Sequence, residues 1–186
     1  MAERFKKDIK RIVIIGPEST GKTELSQFLS AHYNTVFVPE YAREYIENLP
    51  QHYTYFDIEH IARKQIELEA TYLSKANHLL FYDTYLIITK VWFKVVYNKV
   101  PEWLEEVIKD LKIDLFLLCN TQLPWIPDKV RENGGEMREK LFYMYKSELE
   151  KNAFNYEVIT GIGNDRFNNA LFIVENFLMK QEENLI

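Results

Sequence analysis

Cysteine is nearly absent: Cys119 is the one cysteine among 186 residues. An intramolecular disulfide and a cysteine-built zinc site are therefore excluded, and Cys119, in "DLFLLCN", reads as a small buried hydrophobe. His32, His52, His60 and His78 show no ligand spacing and read as structural or surface residues. No run approaches the roughly 18 apolar residues of a membrane span, and no apolar signal stretch opens the chain, so a cytoplasmic protein is expected. An excess of basic charge is lacking too. The net charge is −5 with Lys and Arg scattered, which disfavours a nucleic-acid partner, and the "KKDIKR" start reads as a short solvated tail. A small-molecule partner is the expectation that remains.

What is present is a globular composition, 47% apolar and 15% aromatic, in a length suited to a single domain over 1–186. Apolar runs alternate with amphipathic stretches, which predicts an α/β fold with a parallel sheet. Strands are predicted at Arg11 to Ile15, "NTVFVP", "HLLFYDT", "IDLFLLCN" and "YEVIT". Helices are predicted from Thr23, over "DIEHIARKQIELEATYLSKA", Thr84 to Tyr97, Pro101 to Leu111, Met137 to Lys151 and Phe167 to Met179. Between Asn120 and Arg138 the pattern fails around Pro124, Pro127 and Gly134-Gly135, which suits a mobile loop or short-helix lid over about 120–138.

The stretch "GPESTGKT", Gly16, Pro17, Glu18, Ser19, Thr20, Gly21, Lys22 and Thr23, fits the phosphate-loop (Walker A) pattern G-x-x-x-x-G-K-[ST]. It lies where a buried strand gives way to a helix, as its mechanism requires. Glycines let the backbone curl round an anion, and the helix N-terminus adds partial positive charge. Lys22 would then reach the β- and γ-phosphates of ATP, and Thr23 would offer its hydroxyl to Mg2+.

A kinase needs more than a cradle. Asp83, ending the strand "LLFYD", is a candidate Mg2+ ligand, or a helix N-cap, or both. Arg131 and Arg138 flank the lid glycines and are candidates to neutralise charge during transfer, with Lys129 weaker; lid arginines can equally be surface charge. In "PEYAREY", Glu40 is a candidate proton acceptor or sugar-diol ligand, and Arg43 a charge neutraliser or orienter of Glu40. The alternative is a short exposed helix with Glu40, Arg43, Glu44 and Glu47 paired at helical spacing.

With "GPESTGKTELSQFL", "PEYAREYIE", "FYDT", "DLFLLCNTQLPWIPDKVRENGG" and "DRF", the chain resembles the nicotinamide riboside kinase (ribosylnicotinamide kinase) domain of the bifunctional bacterial NAD-salvage and regulatory protein. The resemblance runs from Arg11 to the last helix. It implies a three-layer P-loop NTPase fold of the nucleoside-kinase type with a five-stranded parallel sheet. It also implies transfer of the γ-phosphate of ATP to the 5′-hydroxyl of nicotinamide riboside. By the same resemblance Lys22 and Thr23 meet the phosphates and Mg2+, Asp83 serves metal binding or hydroxyl activation, Glu40 and Arg43 lie on the substrate side and Arg131 in the lid. Together with the lid reading, the expected catalytic set is Lys22, Glu40, Asp83, Arg131 and Arg138, with Tyr41 beside Glu40 and Arg43 on the substrate. Trp125 would cover the nicotinamide ring or anchor a hinge, and Arg166 would meet adenine.

Two departures stand out. Tyr85 occupies the place, two residues after Asp83, where such proteins usually carry an acid. The adenylyltransferase H-x-G-H signature and a DNA-binding segment have no counterpart, so the expected product is the mononucleotide and not NAD. Two alternatives stay open: a kinase for another nucleoside or small metabolite, and a nucleotide-driven regulatory ATPase.

Overall fold

A computed structural model of the chain describes residues 9–183. Residues 6–8 of the basic "KKDIKR" start lie outside that range, and Lys10 and Arg11 belong to the first strand rather than to a tail. Five parallel strands, β1 (Lys10–Ile15), β2 (Val36–Val38), β3 (Leu79–Asp83), β4 (Leu115–Cys119) and β5 (Tyr156–Ile159), form one sheet in the order β2-β3-β1-β4-β5. Among the described residues seven helices surround it: α1 (Lys22–His32), α2 (Tyr41–Glu47), α3 (Tyr55–Leu73), α4 (Leu86–Tyr97), α5 (Glu102–Lys109), α6 (Gly135–Lys151) and α7 (Asn164–Glu183).

Strand periodicity sorts the two faces. Val13, Ile15, Leu80, Tyr82, Phe116 and Leu118 join the core under α3 to α6. Ile12, Ile14, Phe81, Leu115 and Leu117 join the core under α1 and α7. The central strands are buried on both sides, so they read as continuous apolar runs. Each large aliphatic side chain buried this way contributes about 1.5–3 kcal/mol.

The topology also places the site. The helix after β1 packs on one face and the helix after the neighbouring β3 on the other. The chain therefore diverges at the carboxyl ends of β1 and β3, and such a divergence opens a crevice for ligands. Between Cys119 and α6, residues 120–134 form neither helix nor strand. Because α6 starts at Gly135, Arg138 sits inside the helix and not in the loop.

Candidate active site

The loop between β1 and α1 is shaped by crowding. At Gly16, φ is +152° and a Cβ would come within 2.7 Å of the Cys119 carbonyl oxygen, so only glycine lets the loop lie on β4. Ser19 and Gly21 take left-handed φ values of 56° and 67°, which turns the backbone into a concave nest. The Pro17 carbonyl accepts from the Thr20 hydroxyl at 2.8 Å and from the Lys22 ammonium at 2.9 Å.

The two longest-range caps differ in a telling way. Helix α3 opens with a capping box in which Thr54 and Asp57 satisfy each other's backbone donors. Helix α1 opens on Gly21, which has no side chain to cap it, and Thr23 in its first turn is exposed. With no side-chain cap on its first turn, α1 is open to an anion at its N-terminus, as a phosphate site requires.

Beside this opening lies a cavity of about 410 Å3, lined at one end by Lys22, Thr23 and Glu40. That volume is in the range of small-molecule sites. The other end is aromatic: Tyr53, Tyr85, Trp92 and Tyr145 contribute, with Tyr53 and Trp92 edge-to-face at 4.8 Å. Trp92 lies seven residues beyond Tyr85 on α4, about 10 Å along the helix axis.

Charge is concentrated around Lys22 and Glu40, with Asp83 buried beside them. Burial pushes the Glu40 carboxyl above its ordinary value of 4.5; Lys22 pulls it down, Asp83 pushes it up, and Arg43 and Glu18 act in opposite senses more weakly. Asp83 is 1% exposed. Burial raises its pKa from 3.8, against the lowering influence of the Thr23 hydroxyl and the Lys22 ammonium. Its Oδ1 makes no hydrogen bond among the described residues. An orphaned buried carboxylate oxygen next to a hydroxyl-bearing loop fits a Mg2+ ion that takes its remaining ligands from phosphate and water. Among the described residues no group of three or more His, Cys, Asp or Glu is placed to hold a metal by itself.

Several sequence expectations are relocated. Arg138 is 6% exposed and donates from Nε to the Glu18 carbonyl at 3.0 Å and from Nη2 to the Ser19 carbonyl at 2.9 Å; it braces the phosphate loop from beneath and is not a swinging lid cation. Arg166, 4% exposed, donates from Nη2 to the Thr20 carbonyl at 2.6 Å and to Cys119 Sγ at 3.3 Å, so its plane is held under the loop rather than offered to a base. Trp125 does not line the cavity; its ring packs against Gly134, where a Cβ would meet it at 3.2 Å. Tyr41 turns its ring to Tyr45 and its hydroxyl to His60 on α3, away from the cavity. The N-cap of α4 is Tyr85, not Asp83.

Arg43 pairs with Asp128 at 2.7 Å and with Glu47 at 3.1 Å, so its guanidinium ties α2 to the 120–134 segment while still facing Glu40 electrostatically. Arg131 borders the cavity but is held within the segment, by the Ile126 carbonyl at 2.6 Å and by Asp128 at 3.1 Å. Glu18 accepts from the backbone N–H groups of Glu132 and Asn133 and from the Asn133 side chain, and the Ser19 hydroxyl bonds to both the N–H and the carbonyl of Ile126. The segment is thereby fastened onto the phosphate loop. Tyr85 is 3% exposed and gives its hydroxyl to Glu69, which also pairs with Arg11 at 3.1 Å.

Tyr53, Trp92, Tyr145, Gln65 and Asp128 were not picked out from sequence, although all but Asp128 line the cavity. For Gln65 a signal existed: it continues the buried spacing Ile58, Ile61, Ala62 as a lone amide on an apolar stripe.

A parallel five-stranded sheet with an uncapped phosphate-loop helix at the divergence point defines a P-loop nucleotide-binding protein. The match of residues 11–166 to the AAA domain model makes the chain a member of that family. It is 26% identical over 150 residues to the trifunctional NAD biosynthesis/regulator protein NadR of Salmonella typhimurium, covering 77% of this chain and 36% of that protein. The Escherichia coli protein of the same description is 26% identical over 155 residues, covering 80% and 37%. The chain thus spans little more than a third of the curated relatives it matches. A crystal structure of NadR in complex with NR superposes with a TM-score of 0.79 at 24% identity, over 92% of this chain and 52% of that one. A deoxyadenosine kinase from M. mycoides gives 0.61 at 16% identity, over 89% and 99%. These likenesses establish a P-loop kinase fold.

Proposed function

We propose that this chain is an ATP-dependent ribosylnicotinamide kinase, transferring the γ-phosphate of ATP to the 5′-hydroxyl of nicotinamide riboside. The carrying observation is the single cavity that joins the uncapped N-terminus of α1, the Glu40 carboxylate and an aromatic end built by Tyr53 and Trp92. A cationic pyridinium is attracted to such aromatic faces. The similarity to two NadR proteins of NAD biosynthesis, and to a NadR solved in complex with NR, supports this acceptor.

In this reading the phosphates of ATP occupy the nest of residues 16–21 and the N-terminus of α1. The Lys22 ammonium, held by Pro17 when no phosphate competes, transfers to the phosphate oxygens. Thr23 and Asp83 would hold Mg2+, which would neutralise charge on the phosphates. Glu40, its pKa raised by burial, accepts the 5′-hydroxyl proton; that oxygen forms the new bond to the γ-phosphorus as the bond to the β-bridging oxygen breaks and ADP leaves. Arg131 offsets charge on the transferring group, and residues 120–134 act as the lid over it.

A second acceptor is favoured by one observation. With the Tyr85 hydroxyl turned to Glu69, this position offers the cavity a ring in place of a carboxylate, so a nucleoside with different sugar hydroxyls is the alternative.

The test is ADP release with Mg2+-ATP against nicotinamide riboside, the common nucleosides and deoxynucleosides, and no acceptor. Stimulation by nicotinamide riboside above all others is expected. Preference for another nucleoside would reassign the acceptor, and slow hydrolysis indifferent to the panel would replace the kinase reading with a nucleotide-driven switch.

A further inference from the structure

Gln65 is 3% exposed in the stripe of α3 that otherwise buries Ile58, Ile61 and Ala62. A primary amide in such a stripe is destabilising unless both its ends are partnered. Both are. Its Nε2 donates to the Pro39 carbonyl and its Oε1 accepts from the Tyr41 N–H, each at 3.2 Å. The two backbone groups lie on either side of Glu40, so one side chain brackets the residue proposed above as proton acceptor.

The bracket answers a local conflict. Glu40 is the N-cap of α2, with φ −69° and ψ 105°, and Tyr41 carries one of the helix's orphan N–H groups. A carboxylate at an N-cap ordinarily folds back onto the N–H groups two and three residues on, which here belong to Ala42 and Arg43. Glu40 makes no such cap hydrogen bond to α2, and the neighbouring Tyr41 N–H is satisfied by Gln65 from α3. Glu40 is left free to face Lys22, Asp83 and the cavity. We propose that Gln65 is the positioning residue of the phosphoryl acceptor site: by binding the backbone on both sides of Glu40 it fixes that residue's conformation and so holds the Glu40 carboxylate toward the acceptor hydroxyl. This rests on the kinase reading and adds a residue to it.

The test uses the full chain with nicotinamide riboside and ATP, measuring kcat, both KM values, the pH profile of kcat/KM and thermal stability. Gln65→Met keeps length and burial but loses both hydrogen bonds. Its kcat should fall about tenfold or more, with the KM for ATP changed less than about twofold, because a misplaced base slows transfer without touching the phosphate nest. The acid limb of its profile should move down toward the ordinary carboxylate range as Glu40 reaches solvent. In a Glu40→Gln background the same substitution should change kcat by less than about twofold, since a residue acting through Glu40 has nothing further to lose. Gln65→Glu supplies a check that does not depend on Gln65→Met folding. Its neutral acid can donate to Pro39 and accept from Tyr41 as the amide does, whereas its ionised form cannot donate, so its activity relative to the parent should decline as pH rises.

A Gln65→Met enzyme with lowered melting temperature but parental kcat and pH limb would overturn the inference, as would an undiminished further loss in the Glu40→Gln background. A Glu40→Gln enzyme with full turnover would instead overturn the Glu40 assignment, and this inference with it. Loss of activity in Glu40→Gln but none in either Gln65 variant would remove the inference alone.

Discussion

Arg43 on α2 and Asp128 in the segment before α6 are joined by a 2.7 Å ion pair across 85 residues of chain. Asp128 also accepts from the backbone N–H groups of Val130 and Arg131 and pairs with the Arg131 side chain. These contacts hold its own pKa below the ordinary carboxylate value despite partial burial. Asp128→Ala should therefore release the segment from α2. The expected outcome is faster tryptic cleavage within 120–134 and a KM for the acceptor raised several-fold, with the melting temperature little changed. Unaltered proteolysis would show that Glu18 and Ser19 suffice to hold the segment.

Trp92 lines the cavity and Trp125 packs on Gly134, so the ring-covering and hinge alternatives weighed for Trp125 fall to different tryptophans in the proposed reading. Trp92→Leu should weaken nicotinamide riboside by about 1–2 kcal/mol, roughly 5- to 30-fold in Kd, while leaving ATP binding intact. Trp125→Leu should instead lower the melting temperature and weaken both ligands together, because it loosens the packing on Gly134. Calorimetric titration of each variant with each ligand decides, and a selective loss of riboside binding in Trp125→Leu would return the ring-covering role to Trp125.

Lys22 and Arg138 should fail in different ways. Lys22→Ala should abolish turnover yet leave the fold nearly as stable, since the lysine's partner in the described structure is a loop carbonyl. Arg138→Ala removes two charge-assisted hydrogen bonds that shape the nest, each worth about 1.5–3 kcal/mol. It should lower the melting temperature and weaken ATP binding together. Thermal melts with and without Mg2+-ATP read both effects, and an Arg138→Ala protein with parental ATP affinity would refute the bracing role.

Asp83 makes stability depend on pH. In the unfolded chain it ionises near 3.8, and in the fold burial keeps the proton on to higher pH. Its contribution to stability is fully present below pH 3.8 and is lost as pH rises through the folded value, above which the fold holds a buried charge. Asp83→Asn should thus raise the melting temperature of the ligand-free protein at pH 8 by about 2–4 °C, with the gain vanishing toward pH 4. The same variant should lose the stabilisation that Mg2+ adds to bound ATP. A lower melting temperature at pH 8 would mean that attraction to Lys22 outweighs the burial.

The strands and the phosphate loop were legible because their signals are local: unbroken apolar runs such as Leu115 to Cys119, and a glycine spacing with one mechanical purpose. The aromatic end of the cavity was not, because Tyr53, Trp92 and Tyr145 come from separate segments whose meeting depends on how α3, α4 and α6 pack. Arginine direction was equally hidden. Arg138 and Arg166 look alike as basic residues near a lid or a last helix, and only the packing under the loop shows that both point at phosphate-loop carbonyls. Glu40 and Arg43 could be read either as site residues or as a helix surface, and both descriptions apply: α2 is a helix, and its N-cap borders the cavity.

The fastening of Glu18 and Ser19 to Asn133 and Ile126 bears on how such P-loop proteins can be re-engineered. Those two residues occupy positions that the phosphate-loop pattern leaves unrestricted, so a consensus replacement there looks harmless. It would instead strip the docking points of a segment more than a hundred residues away. A chimera that exchanges residues 120–134 for those of another kinase should therefore carry the donor's counterparts of positions 18 and 19, treating the two stretches as a single inherited part.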